Sequence, residues 1–155
     1  MTHLLERDSA VLLVIDVQER INSVMVDQGH LPRIEVLIEA CKALEVPVIG
    51  SEQYPKGLGS TVDPIARLLG EVPAKDTFSC ARDTGLRENI AASGRPQVII
   101  TGIETHVCVL STALDLLDAG YRVHVPHDAV NSRRAADKHW ALERMQGAGA
   151  EITTT

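Results

Sequence analysis

The chain has 155 residues, 45% of them hydrophobic but only 3% aromatic, and a formal charge of −6. That is the material of one domain with a core of Val, Ile, Leu and Ala, and the acidic balance, with no Lys/Arg cluster, excludes a nucleic-acid footprint. No apolar run is long enough to span a bilayer, the opening MTHLLERDSA does not read as a secretory signal, and three cysteines without CxxC spacing fit a reducing, cytoplasmic compartment.

Ala10 to Ile15, AVLLVI, is a continuous apolar run ending on Asp16. A run without alternation predicts a strand buried on both faces. No glycine follows in Asp16-Val17-Gln18-Glu19-Arg20, which removes the dinucleotide-binding fingerprint. Ile34, Leu37, Ile38, Cys41 and Leu44 form a helical stripe over 31–44, with Cys41 a small core hydrophobe. A second strand is expected over 46–50, and Ser51 to Gly59 reads as a loop punctuated by Pro55, Gly57 and Gly59. Those glycines make no phosphate cradle, because no helix start with Lys-Ser/Thr follows.

A short helix over 64–69 has Asp63 as its cap and Pro64 at its first position. A third strand is read at 71–75 and a helix at 84–92. The fourth strand is Gln97 to Thr101, followed by a helix over 105–119 with Thr105 as N-cap. Val107, Leu110, Leu114 and Leu117 are spaced as that helix's buried face. Cys108 then falls in the first turn, where unpaired N–H groups and the helix dipole lower a thiol pKa. A fifth strand is expected at 121–126, a helix capped by Ser132 runs to about Met145, and a sixth strand closes the chain at 150–153. Strand and helix alternate with short links. The expectation is one α/β domain over 1–155, a three-layer αβα fold with a mostly parallel sheet of order 3-2-1-4-5-6.

In open parallel sheets the reactive crevice lies beyond the carboxyl ends of the strands. Asp16, Lys75 and Cys108 fall at such ends. A carboxylate can take a thiol proton, an ammonium can keep that carboxylate ionised, and N–H groups between Gly102 and Cys108 can face an oxyanion. The chemistry that follows is attack by sulfur on a carbonyl, loss of an amine, and hydrolysis of the thioester. Taken singly, Asp16 reads as a turn residue and Lys75 as a surface lysine. Cys80 reads as structural, near the pocket rim. His106 points away from its i+2 neighbour, and His124 and His127 lie on opposite sides of a strand and share no metal. Asp128, Asn131, Ser132 and Arg133 read as turn and cap chemistry.

Five stretches carry a resemblance: LLVIDVQ at 12–18, SEQYPKGLGSTV at 51–62, KDTFS at 75–79, TGIETHVCVLSTALDLLDAGYRV at 101–123 and DAVNSR at 128–133. In them the chain resembles the isochorismatase-like cysteine hydrolases, and within these the isochorismatase-domain-containing subgroup. The resemblance implies Asp16 as general base, Lys75 as its electrostatic partner and Cys108 as nucleophile. It also implies a cis peptide at Ile103–Glu104 and an oxyanion hole from the backbone N–H groups of Glu104 and Cys108. Gln18, Gln53, Tyr54, Phe78 and Val107 are the candidate substrate-binding walls.

Nicotinamidases of this superfamily carry a histidine-containing metal site in the loop after the second strand. Here that loop reads Ser51-Glu52-Gln53-Tyr54, so neither metal nor cofactor is expected. Isochorismatases proper lack the cysteine, so Cys108 points to a C–N bond in a small amide, imide or carbamoyl compound. Relatives continue into one more helix where this chain ends at Thr155, so a second copy in a homo-oligomer is expected to cover that face. Two other classes compete: a thiol redox protein, which wants a resolving cysteine, and a catalytically silent binding protein of the same fold.

Overall fold

The computed structural model describes residues 4–155; the first three residues of the opening stretch, and of the expected 1–155 domain, lie outside it. The strands are β1 (Ala10–Ile15), β2 (Val48–Gln53), β3 (Ala74–Lys75), β4 (Gln97–Ile103), β5 (Arg122–Pro126), β6 (Val130–Asn131) and β7 (Glu151–Thr153). Between them come α1 (Glu19–Asn22), α2 (His30–Ala43), α3 (Pro55–Leu58), α4 (Ile65–Leu69), α5 (Thr84–Ala92), α6 (Leu110–Asp118) and α7 (Ala135–Gly147). The sheet runs β3-β2-β1-β4-β5-β7, with β6 attached to β4, and every pairing is parallel. This is the expected order, with the short β6 added and the last strand becoming the seventh.

Two apolar layers follow from the pleat, since successive side chains of a strand point to opposite faces. Val11, Leu13 and Ile15 of β1 pack with Leu86 and Ile90 of α5, Val109, Ala113 and Leu116 near α6, and Met145 of α7. Ala10, Leu12 and Val14 pack on the other face with Ile34, Ile38 and Cys41 of α2 and Ile65 of α4. Cys41 is thus the core residue the stripe implied.

Several local expectations are corrected. β2 continues through Ser51, Glu52 and Gln53, the first part of the expected loop, because Glu52 and Gln53 pair with Ala74 and Lys75 of β3. Asp63 does not cap a helix. It forms an exposed pair with Arg67 at 3.1 Å, and α4 begins after Pro64, whose peptide bond to Asp63 is cis. Ser132 does not cap α7 either: pairing of Val130 and Asn131 with Gly102 and Ile103 delays the helix to Ala135. Thr105 is no N-cap, since Thr105–Val109 is a π-helical turn with Glu104 at the cap position. The Val109 N–H reaches the Glu104 carbonyl five residues back at 3.3 Å. One extra residue in that turn rotates the helix, so its buried side is Val109, Thr112, Ala113 and Leu116, while Val107, Leu110, Leu114 and Leu117 are half-buried.

Gly102 sets how closely β1 and β4 approach. It pairs with Ile15 at φ +114°, and a Cβ there would sit 2.0 Å from the Ile15 carbonyl oxygen. Only glycine fits this contact, which lies immediately before Asp16. Gly102→Ala is expected to destabilise the protein by about 3 kcal/mol or more, measured by urea unfolding, because the clash is with backbone that cannot rotate away.

A buried polar knot ties α1, α2 and β6 together. His30 Nε2 lies 2.8 Å from Asn22 Oδ1, and its Nδ1 lies 3.1 Å from Asn131 Nδ2. One partner accepts and the other donates, so the ring fits as a neutral imidazole with its proton on Nε2. Burial is the main cause that lowers its pKa, to about 4, with Asp27 opposing and Lys138 adding to the drop. A lowered pKa means that the unfolded state binds more protons, so this contribution is complete above pH 6.5 and is lost as pH falls toward 4. The loss attributable to His30 is expected to reach about 3 kcal/mol. Urea melts across that window check it: His30→Gln should remove this part of the acid slope.

Candidate active site

The first carboxylate of the site stands where β1 ends. Asp16 is fully buried and adopts φ 51°, a left-handed backbone uncommon outside glycine. Its N–H donates to the Ser51 carbonyl at 3.0 Å and its carbonyl accepts from Gln18 N–H at 2.8 Å. Each carboxylate oxygen receives a donor. Ser51 Oγ donates to Oδ1 at 2.8 Å, and Lys75 Nζ donates to Oδ2 at 2.8 Å. Both side chains of this ion pair are 0% exposed.

Lys75 is saturated by the protein. Beyond Asp16, its ammonium meets Gln53 Oε1 at 2.6 Å and the carbonyls of Thr77 and Phe78 at 2.9 and 3.0 Å. Three N–H donors among four acceptors leave none for a ligand. Burial alone would lower the Lys75 pKa, but the Asp16 charge, with the nearby sulfurs, overrides it and raises the pKa, so the group stays an ammonium.

Cys108 sits in the π turn with 5% exposure, in electrostatic contact with both members of the pair. Burial first, and the Asp16 carboxylate second, push its thiol well above the ordinary cysteine range, with Lys75 opposing. This corrects the expectation of a thiol acidified by a helix start. The turn offers far less to a thiolate than dry surroundings and a neighbouring anion take away. At rest the sulfur holds its proton.

The remaining residues divide. Gln18 donates to the Gln53 and Gly59 carbonyls at 2.9 and 2.8 Å and accepts from Gln53 N–H at 2.7 Å. Its side chain therefore brackets the loop after β2. Gln53 turns its carbonyl oxygen to Lys75, which leaves its NH2 directed away from the ammonium. Tyr54 and Phe78 are 55% and 61% exposed, and Val107 is half-buried. Phe78 lines a cavity of about 360 Å3 with Thr77, Ser79, Ser111 and Leu114; Asp16, Lys75 and Cys108 are not among its walls. The three side chains converge, but the sulfur does not open on that hollow.

The Ile103–Glu104 peptide is cis. The Glu104 carbonyl accepts from Val107 and Val109 N–H at 3.1 and 3.3 Å, while its carboxylate faces away to Arg133 Nε at 3.0 Å. His106 turns its Nδ1 to Ser132 Oγ at 3.0 Å, not to the sulfur. Asn131 donates to the Asp27 carbonyl at 2.9 Å, and Asp128 accepts from Thr155 N–H at 2.9 Å. Sequence reasoning missed Ser51, read as loop, and undervalued Cys80. Cys80 is fully buried, with its Sγ 3.5 Å from Ser51 Oγ and its pKa pushed up to about 11 by burial and Asp16. Among the described residues no group of three or more His, Cys, Asp or Glu is arranged to hold a metal ion.

A three-layer parallel α/β fold with a buried carboxylate, ammonium and thiol at its strand ends defines a class of small hydrolase-like proteins. An isochorismatase domain model matches residues 10–155, and the chain belongs to the isochorismatase-domain family. It is 39% identical over 148 residues to isochorismatase domain-containing protein 2 of Xenopus laevis, covering 95% of this chain and 72% of that protein. Among solved structures it is similar to one described as the MAR1 ribonuclease of Caenorhabditis elegans, at TM-score 0.90 and 38% identity, covering 97% of this chain and 79% of that one. It is also similar to the YcaC gene product of Escherichia coli, described as an octameric hydrolase of unknown specificity, at TM-score 0.90 and 25% identity, with 97% and 77% covered. These likenesses support a hydrolase of this family.

Because the Asp16 charge adds to burial in keeping the thiol protonated, Asp16→Asn should make Cys108 more acidic. Its alkylation by iodoacetamide near neutral pH, followed by intact mass with Cys108→Ala as blank, is expected to quicken by about tenfold, the effect of roughly one pKa unit.

Proposed function

We propose that the protein is a metal-independent cysteine hydrolase that cleaves a C–N bond in a small amide, imide or carbamoyl compound. The observation that carries this is the buried Lys75–Asp16 pair at 2.8 Å, held against the Cys108 thiol. In the proposed first step Asp16 takes the Cys108 proton as Sγ attacks the carbonyl carbon. The tetrahedral oxyanion lies against the backbone N–H groups of Glu104 and Cys108, the usual means of stabilising such charge. Asp16 then returns the proton to the departing nitrogen, releasing an amine and leaving a thioester. A water molecule, deprotonated by Asp16, attacks the thioester; the acid leaves and the thiol regains its proton. Lys75, with no donor to spare, acts by electrostatics and does not touch the substrate. The Gln53 NH2 group, Tyr54, Phe78 and Val107 are assigned to the substrate walls, while the contacts of Gln18 fit a supporting part.

The octameric relative and the exposure of Phe78 and Trp140, at 61% and 68%, support a homo-oligomer. Free cysteines at 41, 80 and 108 fit a cytoplasmic location, and no described helix is long and apolar enough to cross a membrane. A charge of −6 speaks against RNA as substrate. The redox alternative gains one feature, a second buried thiol, Cys80, in the same cluster; peroxide consumption with a thiol reductant that survives Asp16→Asn would favour it.

Incubation with a panel of small amides, imides and carbamoyl compounds, read by intact mass and product release, tests the proposal. The expected result is an acyl or carbamoyl adduct on Cys108, absent in Cys108→Ala, with turnover reduced about 100-fold or more in Asp16→Asn. Turnover that survives Cys108→Ala, or a folded protein that neither forms an adduct nor releases product on any member while cleaving RNA, overturns it.

A further inference from the structure

Ser51 lies outside the set of groups given a chemical part above, yet it is in direct hydrogen-bond contact with Asp16. Its Oγ is buried and donates to Asp16 Oδ1 at 2.8 Å, the oxygen that Lys75 leaves open. A buried serine on a strand can satisfy itself on a carbonyl; this one is aimed at a carboxylate. It is backed in turn. Cys80 Sγ lies 3.5 Å from Ser51 Oγ, and Cys80 N–H donates to Thr112 Oγ1 at 3.0 Å. Thr112 belongs to α6, four residues beyond Cys108. A chain of contacts therefore runs from the helix that follows the nucleophile, through Cys80 and Ser51, back to the base.

We propose that Ser51 is a positioning residue for Asp16, holding the carboxylate through Oδ1 and setting how readily it accepts the Cys108 proton, with Cys80 as its support. This rests on the reading of Asp16 as proton acceptor. The groups that face Asp16 are Lys75 from β3, Ser51 from β2, Cys108 from the π turn and Cys80 from the segment after β3. A hydroxyl donating to a carboxylate favours its charged form, so losing that donor makes the carboxylate a readier proton acceptor. The shared proton then spends more time on Asp16, and the sulfur more time as thiolate.

The test is a double-mutant cycle on Cys108 alkylation by iodoacetamide at pH 7, read by intact mass. Ser51→Ala is expected to raise the rate about tenfold in the wild-type background, the lower end of what a hydrogen bond to a charged group is worth. It is expected to leave the rate unchanged in Asp16→Asn, where no carboxylate remains to take the proton. Ser51→Thr, which keeps the hydroxyl, should restore the wild-type rate. Ser51→Gly carries the same cycle if the alanine variant does not fold. An equal change in both backgrounds means loosened packing and overturns the proposal, as does no change in either. The cycle needs no amide substrate. Absent hydrolysis beside an intact cycle sinks the hydrolase reading alone, and a flat cycle beside working hydrolysis sinks the role of Ser51 alone.

Discussion

The buried pair of Asp16 and Lys75 is the constraint around which the strand ends are arranged. Two charges without solvent are costly to bury, and their mutual attraction offsets this only when the remaining donors and acceptors are also matched. The protein matches them fully. Lys75 reaches Asp16, Gln53 and two backbone carbonyls, and Asp16 takes Lys75 on one oxygen and Ser51 on the other. A pair of apolar residues would stabilise the same volume with less demand on its surroundings. The pair is therefore better understood as a fixed electrostatic environment for the sulfur than as a source of stability.

Backbone geometry delivers the three groups to one place. Gly102 lets β4 lie close enough to β1 that the ends of the two strands fall together, and the left-handed turn at Asp16 follows directly from that contact. Gln18 then ties the end of β2 at Gln53 to Gly59 through three hydrogen bonds, and the adjoining β3 presents Lys75. The π turn after β4 completes the set by carrying Cys108. The His30 knot and the Glu104–Arg133 contact brace the outer side of the same loops. Most of these devices use buried polar atoms held by named partners, while Thr105 Oγ1 in the π turn is buried without a hydrogen-bond partner among the described residues.

That use of buried polar atoms explains what could be read from the sequence and what could not. The β1 run has one reading, because six apolar residues in a row have nowhere to go but between two layers. Strand–helix alternation gives the parallel sheet, whose order is the expectation for a doubly wound fold and not something the sequence proves, and α5 is legible from residue 84 to 92, although its cap on Asp83 is not. Ser51, Glu52 and Gln53 look like loop because they are polar, and only pairing with β1 and β3 makes them strand, their side chains being met by Asp16, Thr61 and Lys75. The helical stripe after Cys108 was misplaced for a different reason. Its apolar residues admit more than one buried face, and the extra residue of a π turn, invisible in composition, selects between them. The acidity of Cys108 was misjudged because sequence shows the helix start and not the carboxylate opposite it.

The protonated resting thiol follows from counting charge in a dry site. Asp16 and Lys75 already cancel, so ionising Cys108 in place would set two anions against one cation where screening by water is weak. A cysteine beside a histidine can rest as thiolate and imidazolium, since that proton transfer makes an ion pair out of two neutral groups. Here the neighbouring group, Asp16, is already an anion paired with Lys75. Moving the thiol proton to Asp16 leaves the total charge unchanged, merely shifting the anion from oxygen to sulfur beside the same ammonium. On the proposed chemistry sulfur attack and proton transfer therefore occur together, and the proton that Asp16 receives is the one that the leaving nitrogen needs. Any group that donates to the Asp16 oxygens tunes that exchange, and the hydroxyl of Ser51 is the donor on Oδ1.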